Sequence, residues 1–142
     1  MIPRSQERAF DRGYAPELLR IAEQDLSSGT FAAGGVRSGR VRPGNVLFLF
    51  HQCIEKVLKV ALVHLDIPVP LVHDLSVRIA ELPDEHEPAF GYELLALNEI
   101  AGVRCYEEGG MVYEEADLDD ARVMAHGIVA WGRSILGGSS TR

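Results

Sequence analysis

Apolar residues recur at spacings of three and four along most of the chain, and no other regular period is present. Pro16 stands at a first-turn position, where a missing amide does no harm, and Leu18, Ile21, Ala22, Asp25 and Leu26 follow at helical spacing. A first helix is expected from Pro16 to about Ser28, with the glycines after it as the stop. Asn45 is a good N-cap, its side chain accepting first-turn amides, and Pro68 closes the run behind it. That run, Asn45 to Asp66, is the longest helix expected. At about 100° per residue, Leu47, Phe50, Ile54, Val57, Leu58, Ala61 and Leu65 share one arc, and Phe48, Gln52, Glu55, Lys56, Lys59 and Val63 lie opposite. The first arc reads as core. The second is polar in its middle, and Phe48 and Val63 at its ends need a cover, which points to a homodimer.

His73 and Asp74 open a short third helix to about Leu82, and PDEHEP breaks it. A fourth is expected from Phe90 to Val103 on the stripe Leu94, Leu97, Ile100 and Ala101, followed by a connection over residues 104–116 with a Gly-Gly turn. Asp117 then caps the last helix, with Asp120 three residues on and negative charge suited to a helix N-terminus. This helix should bury Val123, Met124, Ile128, Trp131 and Ile135 or Leu136, and Gly137 and Gly138 should end it. Between the first two helices, Gly29 to Gly44 reads GTFAAGGVRSGRVRPG, with neither alternation nor stripe. A loop this long is unusual in a compact helical domain. It reads as mobile, its Arg37, Arg40 and Arg42 serving a phosphate, an acidic partner or only solvent. There is no internal repeat and no convincing strand. The fold expected is all-α, an up-and-down bundle of about five helices over residues 15–136, with an N-terminal extension at 1–14 and a disordered tail at 137–142.

Composition agrees with one core: 46% of the residues are apolar and 25% charged over 142 positions. No apolar run reaches the roughly 18 residues that span a bilayer, and the first twelve residues have no secretory apolar core, so a cytoplasmic protein without membrane contact is expected. Cys53 and Cys105 lack the density of a disulfide scaffold and read as reduced thiols. The net charge of −7 argues against a general nucleic-acid binder, so RNA is possible but not favoured. The charge is uneven. Residues 1–45 carry seven Arg against five acids, whereas residues 81–120 carry thirteen acids against Arg104 alone. That asymmetry suits either a partner at one end or a solvated acidic face.

Several elements in order resemble the HEPN domain, a helical domain often found beside minimal nucleotidyltransferases. They are AEQDL at the end of the first helix, HQCIEKVLKVAL in the second, an I-P-V-P link to His-Asp-Leu, and Arg104-Cys-Tyr106 before a capped last helix. The likeness spans about residues 15–136. It implies a bacterial-type nucleotide-binding or protein-interaction module, partnered with a nucleotidyltransferase in a toxin–antitoxin-like pair. On that implication Gln52, Glu55, Lys56, Lys59, His73, Asp74, Arg104 and Tyr106 are the ligand-binding candidates, and no cofactor is implied. Two features depart from the family pattern. The link between the first two helices is lengthened by the arginine loop. The Arg-x4–6-His signature of the catalytic ribonucleases is also missing in that form: seven residues separate Arg78 from His86, and three separate Arg122 from His126.

Each candidate also has a use that needs no ligand. Lys56 and Lys59 are spaced to meet one anion, yet Glu55 and Lys59 form the favoured i to i+4 ion pair by themselves. His73 with Asp74 suits acid/base chemistry or an N-cap. Arg104 and Tyr106 suit a phosphate or 2′-hydroxyl, or an internal ion pair within the acidic stretch. Arg122 and His126 would be the catalytic pair of a metal-independent ribonuclease, although Glu115, Asp119 and Asp120 nearby would repel RNA. His51, Cys53, His64, His73 and Cys105 offer metal donors without a C-x-x-C or H-x-x-x-H spacing, so no metal is expected. Non-catalytic binding is the leading expectation, a ribonuclease and a purely structural helical dimer the alternatives.

Overall fold

The computed structural model describes residues 7–70, 75–88 and 115–138. Helix α1 is Tyr14–Ala33, α2 is Pro43–His64, α3 is Leu75–Ala80 and α4 is Glu115–Gly138, with a 3-10 turn at Asp84–His86. The fold is all-α; four helices lie among the described residues, and the stretch expected as a helix at 90–103 lies outside them. One strand pairing was not expected. Strand β1 (Glu7–Arg8) lies antiparallel to β2 (Val69–Pro70), Glu7 opposite Pro70 and Arg8 opposite Val69, so the N-terminal segment docks onto the domain.

Helix α2 is the centre of the bundle. The expected arc from Leu47 to Ala61 is buried, but so are Val46, Val60, Leu62 and Val63 on other sides, because α1, α3 and α4 all pack against it. A helix enclosed this way is apolar nearly all round and no longer shows one stripe. Val63, expected to need a second copy as its cover, is already buried within the chain.

The helix boundaries differ from those expected, for reasons visible in the packing. Helix α1 does not stop at Gly29 but continues to Ala33. A Cβ at Gly29 would sit 2.7 Å from Cε1 of Phe50, so this glycine lets α1 approach α2 closely. Gly132 does the same for α4, where a Cβ would fall 2.6 Å from Cγ1 of Val57. Asn45 is not the N-cap of α2. Arg42 holds that position, Pro43 begins the helix, and the Asn45 amide donates to the Arg42 carbonyl at 3.0 Å. At the other end Asp66 adopts φ 59°, and the Ile67 amide reaches the Leu62 carbonyl while that of Asp66 reaches Val63. That left-handed cap ends α2 before Pro68 is reached.

The expected mobile loop is a short, closed turn. The amides of Arg40 and Val41 both donate to the Gly35 carbonyl, at 3.0 and 3.2 Å, and that of Gly39, at φ 76°, donates to Val36. Arg37 leaves the turn to meet Glu115, with Nη2 2.7 Å from Oε1. Helix α4 begins at Glu115, so Asp117 lies within its first turn, and the helix includes both terminal glycines. Its buried side is Leu118, Ala121, Ala125, Ile128 and Val129, while Val123 points outward and is 49% exposed. Small alanines at the contact, which carry little weight in a stripe of large residues, rotate the buried face away from Val123.

Candidate functional site

Of the four polar residues in the middle of α2, Glu55 is the most enclosed, at 5% exposure. Burying a carboxylate this deeply is unfavourable unless a charge and hydrogen bonds compensate. Arg78 of α3 supplies both. Its Nη2 lies 3.3 Å from Glu55 Oε1, and its Nη1 donates to the Glu55 backbone carbonyl at 3.0 Å. His51, one turn earlier on α2, places Nδ1 3.7 Å from Glu55 Oε2, and Gln52 Nε2 approaches the same oxygen at 3.4 Å. Burial lowers the pKa of Arg78, and the facing Glu55 carboxylate opposes that shift. The expected Glu55–Lys59 pair gives way to this one because α3 brings a bidentate-capable guanidinium onto the enclosed side of α2.

The lysines go elsewhere. Lys56 Nζ meets Asp25 Oδ2 of α1 at 2.5 Å and Gln52 Oε1 at 3.4 Å. This bond is part-buried, tying α1 to α2 beside the apolar contact of Gly29 with Phe50. Lys59 Nζ lies 4.1 Å above the ring of Phe10 and 5.9 Å from that of Tyr14, and the two rings stack with centroids 5.9 Å apart. Burial lowers the Lys59 pKa, with the charge of Arg78 adding to the effect. The N-terminal segment therefore covers this end of the stripe through a cation–π contact.

The participants not recognised from the sequence include Arg78, Phe10 and Asp25. Asp25 carried a signal, since it occupies a position in a stripe otherwise held by Leu, Ile and Ala in the first helix. Arg78 and Phe10 carried none, because their roles depend on which elements pack together. His73, Asp74, Arg104 and Tyr106 lie outside the described residues.

Arg122 and His126 share one side of α4, a turn apart, and His126 is exposed. Arg122 Nη2 is 3.9 Å from Asp119, and acids at 115, 117, 119 and 120 populate the same turns. Among the described residues no group of three or more His, Cys, Asp or Glu side chains could hold a metal ion, and no described helix is long and apolar enough to cross a membrane.

Cys53 is buried against the same network. Burial pushes its thiol up to about 12, with Asp25 adding to the shift. A thiol held protonated is a poor nucleophile. In a Cys105→Ser background, Cys53 is expected to react with a disulfide reagent only on unfolding. Stoichiometric modification of the native protein within minutes, read by absorbance, would contradict the enclosure of this site.

Comparison of the chain with protein-family models, curated proteins and solved structures gave no match in any of the three.

Proposed function

We propose that this chain is a non-catalytic helical module of the HEPN type that acts by binding protein. A nucleotidyltransferase in a toxin–antitoxin-like pair is the partner class that the resemblance implies. The observation that carries the reading is the use to which the α2 stripe is put: Glu55 with Arg78, Lys56 with Asp25, and Lys59 over Phe10. Groups already engaged within the chain would have to break those contacts before meeting a nucleotide. Ribonuclease chemistry is disfavoured on α4, where Asp119 lies 3.9 Å from Arg122 Nη2 and Glu115, Asp117 and Asp120 precede it within two turns, carboxylates that repel a phosphate.

Thermal denaturation with each ribonucleoside triphosphate, for the wild type and Lys56→Ala, tests this. Saturating nucleotide at about a hundred times its Kd would add roughly 2.7 kcal/mol and raise the Tm by several degrees. No such rise is expected. A rise in the wild type that disappears in Lys56→Ala would establish nucleotide binding on the stripe and overturn the proposal. Incubation with structured RNA is likewise expected to leave it intact. Cleavage by the wild type that is lost in an Arg122→Ala, His126→Ala variant would assign catalysis instead.

A further inference from the structure

Lysine is scarce in this chain. Of its fourteen Lys and Arg residues twelve are arginines, and the two lysines, Lys56 and Lys59, stand three apart on α2. A guanidinium keeps its proton, whereas an ammonium in part-buried surroundings gives one up, and the free amine is a nucleophile. Side-chain amine chemistry is therefore confined to one side of one helix.

The two amines are held differently. Lys56 Nζ is tied to Asp25 Oδ2 at 2.5 Å, a charge-assisted bond that occupies it. Lys59 forms an ion pair with no carboxylate among the described residues, and the rings of Phe10 and Tyr14 face it instead, with centroids 4.1 and 5.9 Å from Nζ. Burial lowers the Lys59 pKa; the positive charges of Arg78, Arg8 and Lys56 act in the same direction, and that of Glu55 opposes them. Such surroundings raise the share of free amine at neutral pH. The charge of Arg8, which is exposed and felt at Lys59, also draws an anionic reagent toward it.

The cover over this amine is slight. Strands β1 and β2 pair over two residues each, and Pro70, opposite Glu7, has no amide to donate. Residues 8, 9 and 11–13 are exposed, and Phe10 is half-buried. The ammonium under the Phe10 ring is thus a sizeable part of what holds the segment down, and its loss shifts the balance toward an open form by about two- to fivefold.

We propose that Lys59 is an acylation site for a small acyl phosphate, and that its acylation releases the N-terminal segment. The amine lone pair attacks the acyl carbon and an amide C–N bond forms. The bond from that carbon to the phosphate oxygen breaks, phosphate leaves with the electron pair, and an amine proton goes to water. The neutral amide then offers no cation to Phe10. The proposal rests on the internal engagement of the stripe argued above and supplies a way to undo it at one end.

Acetyl phosphate is the probe, applied to the full chain at neutral pH, with acetyl groups located by fragment masses. In the native protein Lys59 is expected to be acetylated about tenfold faster than Lys56, which must first leave Asp25. In urea the two are expected to react at similar rates, since both then face water. Lys56 reacting as fast as Lys59 in the native protein, or faster, would overturn the site. Release is read by limited trypsin cleavage after Arg8 and Arg12 in the acetylated protein, Lys59→Gln and Lys59→Arg. The first two are expected to be cut about two- to fivefold faster than the wild type, with unchanged circular dichroism, and Lys59→Arg at the wild-type rate because its guanidinium still sits on the ring. Acetylated protein and Lys59→Gln cut no faster than the wild type would overturn the switch. The nucleotide and RNA measurements use no acyl donor, so they judge the earlier reading separately.

Discussion

Replacing Arg78 with alanine is expected to destabilise the fold by about 3–5 kcal/mol, a loss on the scale of emptying a buried core position. The cause is the carboxylate left behind. Glu55 is 5% exposed, and the guanidinium is the charge that faces its carboxylate from α3, with His51 3.7 Å and Gln52 3.4 Å from its other oxygen. For a domain of this size the corresponding fall in Tm is roughly 10–15 °C. Thermal unfolding followed by circular dichroism measures it directly. A loss below about 1 kcal/mol, the range of surface ion pairs, would mean that the pair is solvated rather than enclosed.

The second large effect is expected at the contact between α1 and α2. Phe50 is fully buried, and Phe50→Ala should cost about 3–5 kcal/mol through lost burial and the cavity left behind. Gly29→Ala acts in the opposite sense, pushing a methyl group to 2.7 Å from the Phe50 ring. Helix propensity alone would make that substitution stabilising by about 1 kcal/mol, because alanine is the better helix former. Overpacking is expected to win, for a net loss of about 1–3 kcal/mol. With both changes together the loss should be smaller than the sum, since the added methyl enters space the ring has vacated. Chemical denaturation of the three variants decides it, and a stabilised Gly29→Ala would show that the helices do not meet there.

The parts of this fold legible in the sequence are those set by long apolar stripes. Leu47, Phe50, Ile54, Val57, Leu58 and Ala61 are buried as their spacing requires, and the all-α class follows from that period. The errors fall where small residues or distant partners decide. Gly29 reads as a helix stop because glycine usually is one; here a ring on another helix takes the place of its side chain. Val123 reads as core because a β-branched residue at helical spacing normally is, whereas α4 packs through alanines and leaves it outside.

The stripe on α2 was legible as a pattern but not as a purpose. Gln52, Glu55, Lys56 and Lys59 share a side of the helix, yet which side is enclosed depends on α3 and on residues near the N-terminus. Only the tertiary arrangement brings Arg78 to Glu55, Asp25 to Lys56 and Phe10 to Lys59. Helix period can state that four polar residues line up. It cannot state whether water, a ligand or another helix faces them.

That the α2 stripe serves as an internal packing device is tested most directly by a double-mutant cycle on Glu55 and Arg78. Equilibrium unfolding of the wild type, Glu55→Gln, Arg78→Met and the double variant yields the coupling between the two side chains. Each single variant removes one charge of a buried pair and leaves the other in place, whereas the double variant removes both, so a coupling of about 2 kcal/mol or more is expected. Strictly additive losses, with the double variant as unstable as the two singles summed, would contradict the buried pair and return the stripe to solvent.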